Sequence, residues 1–288
     1  MSHFSQIEEY ENTSEKDFHT PVEDEKKLSD TRFYVHYFYE HLFNGNIGAP
    51  VHEKLQKGAK VLEYRCDSGI WTREIAIEYP DTEFYAVDST VPNSRDDGNN
   101  INITLIECDI FKKLPFPDNE FDYVYAKDNL LFMTTNTFRA VLLEIFRILK
   151  PGGWLEVVYS CKTDLIPGLG YTRLTNAWHS WLTAQNIDYD INPNLENYLQ
   201  ETGKTESMSR RIEEMQVGSG NTMGEFKLEI TLMFYRSARS YLAPFMNISF
   251  EEFDDLVNNV ENELNANKIK ITFKQVIAKK KSTNSEEN

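Results

Sequence analysis

The chain has 288 residues, of which 40% are apolar, so it can bury the core of one large domain or two small ones. Its formal net charge of −16 disfavours a general nucleic-acid binder, because phosphate contacts require clustered lysine and arginine. No apolar run is long enough to span a membrane. We therefore predict neither a nucleic-acid partner nor a membrane partner.

Cysteine usage indicates the compartment. Cys66, Cys108 and Cys161 are too far apart in sequence for a metal knuckle, and no stretch resembles a secretory leader. We expect reduced thiols and an intracellular, cytoplasmic protein, with the nucleus as an alternative. The sequence predicts no metal site.

The N-terminal region divides into a tail and a helix. Met1 to about Lys27 is polar and acidic, which predicts a disordered acidic tail. The run Leu28–Phe43 has aromatic residues at helical spacing, with Ser29 or Asp30 as its cap. A turn-rich break, 44–50, follows it.

A regular alternation of strands and helices follows, which predicts a parallel sheet with right-handed crossovers and helices on both faces. The predicted strands are Lys60–Tyr64, Glu83–Val87, Ile103–Glu107, Phe121–Ala126 and Trp154–Tyr159. A helix from Thr137 to Leu149 precedes the turn LKPGGW, where proline and two glycines forbid its continuation.

The C-terminal half predicts mainly helices. They are expected at Gly170–Gln185, Pro193–Thr202, from the loop 218–224 to about Tyr241, and at Ser249–Ala266 with Ser249 as the cap. The charged stretch Lys204–Val217 suits either a strand or a helix, and Lys268–Ala278 alternates as a closing strand. We predict one domain over 28–279, with a core at 51–160, helical cap elements at 28–50 and 170–266, and a tail at 280–288.

The stretch Ala59–Ala76 is the strongest candidate for a binding site. It is a strand that stops in a polar loop, Arg65–Gly69, and restarts as a helix. Such a junction directs unpaired backbone N–H groups and a positive helix end at the strand's carboxyl edge, where open α/β sheets bind nucleotide-like ligands.

Acidic residues accompany the first three strands. Glu63 lies in the first strand, Asp88 ends the second and Asp109 follows the third. Because the carboxyl ends of parallel strands share an edge, these carboxylates are expected to converge. One can accept two hydrogen bonds from a ribose diol, contributing about 1.5 to 3 kcal/mol. Taken singly, each is equally well explained as a cap of a strand end or helix start.

Four segments together resemble a known family. They are VLEYRCDSGIWTREIA, AVDST, ECDIFKKLPFPDNEFDYVYA and LKPGGWLEVV. In this order they resemble the class I S-adenosylmethionine-dependent methyltransferases, and in particular the fungal methyltransferase-domain proteins, over roughly residues 28 to 279. The resemblance implies a Rossmann-like, mostly parallel seven-stranded sheet with its last strand antiparallel, helices on both faces and a helical cap from both termini.

The resemblance also implies the cofactor, S-adenosyl-L-methionine, and its site. Carried over by position, Glu63 and Gly69 match the first motif, Asp88 the ribose-binding acid, and Asp109 with Ile110 the adenine side. The neighbouring positions in the same implied cofactor site are Arg65, Cys66, Asp67, Ser89 and Lys127. The implied partner is a small-molecule or protein methyl acceptor.

The first loop departs from the family pattern. Family members usually read Gly-Cys-Gly-x-Gly where this chain has Arg65, Cys66, Asp67, Ser68 and Gly69. The Arg65 side chain has three alternatives: it points outward, it pairs with the cofactor's carboxylate, or it pairs internally with Asp67 or Glu63 and fills the site.

The acceptor chemistry is open. Lys127 and Asp128, after the fourth strand, border the transferring methyl group in many relatives, and Tyr159 stands where relatives often have an acidic residue. Candidate general bases are His36, His41, His179 and Asp128.

Two functions follow from these features. One is an active methyltransferase; the alternative is a catalytically inactive methyltransferase-like binding or regulatory subunit, which would use a protein partner. A nicotinamide dehydrogenase is disfavoured, because no Gly-x-Gly-x-x-Gly follows the first strand.

Overall fold

A computed structural model describes residues 25–91, 102–128, 133–161, 165–187, 191–218 and 220–282. The predicted N-terminal tail lies outside these residues except for its last three, 25–27, which are helical. No helix within the described part is long and apolar enough to cross a bilayer.

One seven-stranded sheet organises the molecule, with strand order β3-β2-β1-β4-β5-β7-β6. Its strands are β1 Lys60–Tyr64, β2 Glu83–Asp88, β3 Ile103–Glu107, β4 Phe121–Lys127, β5 Leu149–Ser160, β6 Thr205–Gln216 and β7 Lys270–Lys280. The pairs from β3 to β5 are parallel, and β7 runs antiparallel to both β5 and β6. This confirms the predicted α/β fold with an antiparallel last strand.

Eight helices are found in the described part of the chain. They are α1 Glu25–Phe43, α2 His52–Gln56, α3 Ile70–Glu78, α4 Thr135–Ile148, α5 Gly170–Ala184, α6 Ile191–Glu201, α7 Thr222–Phe245 and α8 Phe250–Asn267.

The alternation of side chains along each strand divides the core between the two sheet faces. Val61 and Tyr123 pack in a cluster with residues of α1, α2, α3, α5, α7 and α8. Leu62 and Val124 point the other way, into a cluster with residues of α4 and α6. Burial on both faces explains why the central strands are mostly apolar.

Three local predictions have different outcomes in the structure. The ambiguous stretch 204–217 is strand β6. The proposed caps Ser29 and Asp30 are wrong, because α1 begins at Glu25 and includes both positions. Ser249, by contrast, does cap α8: its hydroxyl accepts from the Glu252 N–H at 3.1 Å.

Strand β5 begins at Leu149, before the turn that we expected to precede it. The pairing with β4 is irregular between Phe121 and Tyr123, and Gly152 has a φ of 73°. A Cβ on Gly153 would lie 2.8 Å from the Lys150 carbonyl oxygen. The two glycines therefore allow an irregular strand start where another sequence would leave the sheet.

Candidate functional site

The carboxyl ends of the first four strands meet at one edge of the sheet. Tyr64 at the end of β1 is in register with Val87 of β2 and Ala126 of β4, and Asp88 is in register with Glu107 of β3. The loops that leave these strands are therefore neighbours, as the site prediction requires.

The loop after β1 has a left-handed backbone at three alternate positions. The φ angles are 58° at Arg65, 53° at Asp67 and 67° at Gly69. Glycine adopts this conformation freely, whereas a residue with a β-carbon loses about 1 to 2 kcal/mol. These are the three positions at which the family pattern has glycine, so this loop is left-handed at each of them although two hold other residues.

Backbone hydrogen bonds hold this loop against β2. The Cys66 N–H donates to the Val87 carbonyl at 3.0 Å, and the Asp67 N–H donates to Asp88 Oδ2 at 2.8 Å. Gly69 closes the loop by donating to the Cys66 carbonyl at 2.8 Å and is the N-cap residue of α3. The loop is thus held between the ends of β1 and β2 and the start of α3.

Glu63 is buried beneath this loop, with 1% of its surface exposed. Its Oε2 accepts from the Thr72 N–H at 3.2 Å and from the Thr72 hydroxyl at 2.6 Å. Among the described residues Oε1 has no hydrogen-bond partner, and Lys127 Nζ lies 3.9 Å from it. Burial raises the pKa of the Glu63 carboxyl, and the nearby Lys127 charge opposes that rise.

Asp88 lies beside the same loop and is also largely buried. Its Oδ1 accepts from the Ser89 N–H at 2.8 Å. Burial, followed by the Asp67 charge, raises the pKa of the Asp88 carboxyl, while the Asp67 N–H and the Arg65 charge lower it. The carboxylate is therefore oriented by backbone donors on both oxygens.

The predicted adenine-side pair occupies two different environments. Asp109 is exposed, and its Oδ2 forms an ion pair with Lys112 Nζ at 2.9 Å. Ile110 is 1% exposed, and its carbonyl accepts from the Tyr64 hydroxyl at 2.6 Å. Of these two residues, only Asp109 has a side chain that a ligand can reach.

The Arg65 guanidinium lies over the Phe111 ring, 5.8 Å from its centroid, on the β3 side of the loop. Asp67 and Glu63, the acids considered as internal partners of Arg65 in one of the three alternatives, have other cations beside them. Asp67 pairs with Arg32 of α1 at 3.4 Å, and Glu63 faces Lys127. Internal ion pairs thus do form at this site, with cations that the sequence interpretation did not consider.

Helix α1 covers the ends of β4 and β5 and engages two of the four candidate bases. Asp128 accepts from the Tyr39 hydroxyl at 2.7 Å and from the Ser160 N–H at 2.8 Å. His36 is 1% exposed, and its Nε2 lies 2.7 Å from Glu74 Oε2. Burial, and then the Lys127 charge, lower the pKa of the His36 imidazole.

The other two candidate bases lie elsewhere. His41 is exposed near the C-terminus of α1, and His179 is half-buried on α5. Tyr159 is fully buried in the core between β5 and the helices α4 and α6.

Two carboxylates that the sequence interpretation missed are central to the structure. Glu74 on α3 accepts from both α1 and the loop 44–50, and Glu156 on β5 is fully buried. Donors to Glu156 are the Gly48 and Ala49 N–H groups, the Tyr123 hydroxyl and the Gln275 amide. An acidic residue within an apolar strand such as LEVVY is the signal that could have identified Glu156.

Comparison with known families gives a match over the core of this site. Residues 61–153 match the family model described as a methyltransferase domain. The matched segment begins in β1 and ends within β5, so it contains every predicted cofactor-binding residue.

Curated relatives match somewhat more than a third of the chain. The sterol 24-C-methyltransferase of Yarrowia lipolytica is 35% identical over 116 residues, which are 38% of this chain and 30% of the relative. The methyltransferase str3 of Strobilurus tenacellus is 32% identical over 109 residues, covering 38% of this chain and 37% of the relative. The chain therefore matches about a third of the length of these relatives.

A solved structure with the same fold covers most of the chain. It is phosphoethanolamine N-methyltransferase 2 of Haemonchus contortus, in complex with phosphomonomethylethanolamine and S-adenosylhomocysteine. The TM-score is 0.50 at 18% identity, and the superposition covers 89% of this chain and 59% of that one. At this identity the likeness establishes the fold alone.

Proposed function

We propose that this chain, whose residues 61–153 match the methyltransferase-domain family model, binds S-adenosylmethionine and transfers its methyl group to an acceptor. The observation that carries the proposal is the left-handed backbone at Arg65, Asp67 and Gly69. This conformation costs free energy at the two non-glycine positions. Backbone strain of this kind is typical of ligand-binding sites, so we attribute it to the shape that the cofactor requires.

The donor and acceptor groups present fit such a cofactor. Glu63 Oε1 is a buried acceptor without a hydrogen-bond partner in the described chain, so it suits the cofactor's ammonium group. Asp88 suits the ribose hydroxyls, because backbone donors fix both of its oxygens at the strand end. The exposed Asp109 carboxylate suits the exocyclic amine of the adenine.

When bound, the cofactor supplies a methyl group on a positively charged sulfur, which a nucleophile can displace directly. The chain's own contribution is to hold that group beside the ends of β1 and β4 and to exclude water with α1. Such a transfer can proceed through positioning alone. His36 and Asp128 are both engaged in hydrogen bonds with other residues, and we assign no catalytic base.

The acceptor in this proposal is a small molecule or a protein side chain. The net charge of −16 disfavours acidic polymers as acceptors. All three cysteines are free thiols, which supports a reducing intracellular compartment.

A second function, a methyltransferase-like binding module without turnover, is favoured by one observation. Lys127 faces Glu63, and Arg32 pairs with Asp67, so cations of the protein already stand beside two acids of the first motif. In this alternative the ion pairs replace the cofactor's charge, and the domain binds a protein partner.

Calorimetric titration with S-adenosylmethionine and S-adenosylhomocysteine tests the cofactor proposal. We expect saturable binding of both and a rise in melting temperature. Absence of both effects at millimolar ligand would contradict it and leave the binding module. Transfer of a labelled methyl group from the cofactor into fractions of a cell extract then separates the two functions, because a binding module gives no labelled product.

A further inference from the structure

A cluster of three potential metal ligands lies where α1 packs against α3. It consists of His36 and Glu40 on α1 and Glu74 on α3, and one ligand atom from each residue lies within 4.8 Å of the others. His36 and Glu40 are four residues apart, so they lie on the same face of the helix.

The three side chains form a donor set that suits zinc-type cations. Imidazole and carboxylate groups both ligate zinc-type cations, and ligand atoms lie roughly 3.3 Å apart around a tetrahedral ion. His36 Nε2 and Glu74 Oε2 already approach to 2.7 Å. Glu40 is half-buried, and one of its carboxylate oxygens lies within 4.8 Å of the other two ligand atoms.

Neighbouring groups orient Glu74. The Tyr37 hydroxyl donates to Glu74 Oε1 at 2.5 Å, and the Asn46 amide donates to Oε2 at 3.2 Å. Metal-ligating carboxylates are usually hydrogen-bonded in this way, because such contacts fix the ligand before the ion arrives.

Glu40 of this cluster lines a cleft of about 540 Å³ between α1 and the start of α7. Its walls include Tyr37, Glu40, His41, Thr222, Met223 and Phe226. An ion and its water ligands therefore have a path to Glu40. Within the described residues, neither Glu40 nor Glu74 forms an ion pair with a lysine or an arginine.

From this geometry we propose that His36, Glu40 and Glu74 bind a divalent cation of the zinc type, with its remaining position open to the cleft. The site goes beyond the methyltransferase proposal and does not depend on it. The bound ion joins α1, which covers the end of β4, to α3, which follows the loop 65–69. Metal binding therefore stabilises the arrangement in which α1 covers the proposed cofactor site.

Cobalt(II) titration of the full chain, freed of metal by a chelator, tests the site. Cobalt replaces zinc in such sites and absorbs visible light strongly when its coordination is tetrahedral. We expect one equivalent to bind with this absorption and to raise the melting temperature. Glu40→Gln, which removes one ligand and no hydrogen bond found in the structure, is expected to weaken binding at least 10- to 100-fold.

His41→Gln is the matched control, because His41 lines the same cleft but is not part of the cluster. This variant is expected to bind cobalt as the unaltered chain does. Three results would each overturn the proposal: no stoichiometric binding by the unaltered chain, equal binding by Glu40→Gln, or a loss confined to His41→Gln. Because cobalt absorption is read without S-adenosylmethionine, failure here is distinct from failure of the cofactor proposal.

Discussion

The backbone N–H of Asp67 donates to the carboxylate of Asp88, with 2.8 Å between the nitrogen and Oδ2. This bond joins the loop after β1 to the end of β2, two segments that only the parallel pairing of those strands brings together. A carboxylate oxygen accepts more than one hydrogen bond, so Asp88 remains able to bind a diol while it is held by the loop.

Replacing Asp88 by alanine should weaken S-adenosylhomocysteine binding by about 10- to 100-fold. The lost charged hydrogen bonds contribute about 1.5 to 3 kcal/mol, which corresponds to one to two decades of affinity. Calorimetric titration of the folded variant measures the change. Asp81→Ala is the control, because Asp81 is an exposed acid at the opposite end of β2 and should bind normally. Unchanged affinity in Asp88→Ala would mean that the ribose lies elsewhere.

At position 65 glycine should give a more stable protein than alanine, by roughly 0.5 to 1 kcal/mol. Both variants lose the contact with Phe111, but only glycine relieves the left-handed strain of about 1 to 2 kcal/mol, partly offset by its greater freedom when unfolded. Urea unfolding of both variants measures the difference. At the exposed helical control position Glu261 the order should reverse, with alanine more stable by about 1 kcal/mol. The same order at both positions would argue against strain at Arg65.

The difference in free energy of unfolding between the unaltered chain and Glu63→Gln should depend on pH, because burying the charge of Glu63 costs free energy. Burial raises the pKa of this carboxyl above its ordinary value of 4.5, so the folded chain holds the proton more tightly than the unfolded chain. The stabilisation that comes from this tighter proton binding at Glu63 is present below pH 4.5 and is lost as the pH rises through the pKa of the folded chain. The unaltered chain should therefore lose stability relative to Glu63→Gln as the pH approaches neutrality.

Paired urea titrations over this pH range measure that effect. A difference between the two proteins that stays constant with pH would show that burial does not perturb Glu63. Glu261→Gln, at an exposed position, should give such a constant difference and serves as the control.

Substitution of Glu156 by alanine should destabilise the fold by at least about 3 kcal/mol. Its four donors, from residues 48, 49, 123 and 275, would be left unsatisfied in the core, at roughly 1 to 3 kcal/mol each. The loop 44–50 would also lose its attachment to the sheet. The free energy of unfolding in urea is the measurement, and Glu261→Ala should change it by less than about 0.5 kcal/mol. A small effect at Glu156 would mean that water replaces the carboxylate.

Much of the fold was predictable because local patterns and sheet topology agree. The bounds of β1 and β3 follow from their apolar runs and the polar loops beside them, and the Ser249 cap follows from a glutamate three residues later. Strand β6 was ambiguous, since its charged residues alternate poorly. Pairing with β7 decides its structure, and that contact is remote in sequence.

The site was predictable in part. The sequence by itself determined which acids reach the shared edge, because each one lies in or just after a parallel strand whose order the alternation of elements specifies. It also identified Arg65 and Asp67 as departures from the glycine pattern. Tertiary structure alone decided that both keep a left-handed backbone, that Lys127 and Arg32 stand beside Glu63 and Asp67, and that α1 brings His36 and Glu40 to Glu74. Those outcomes depend on how side chains from distant segments pack across the sheet edge, and no local pattern encodes that packing.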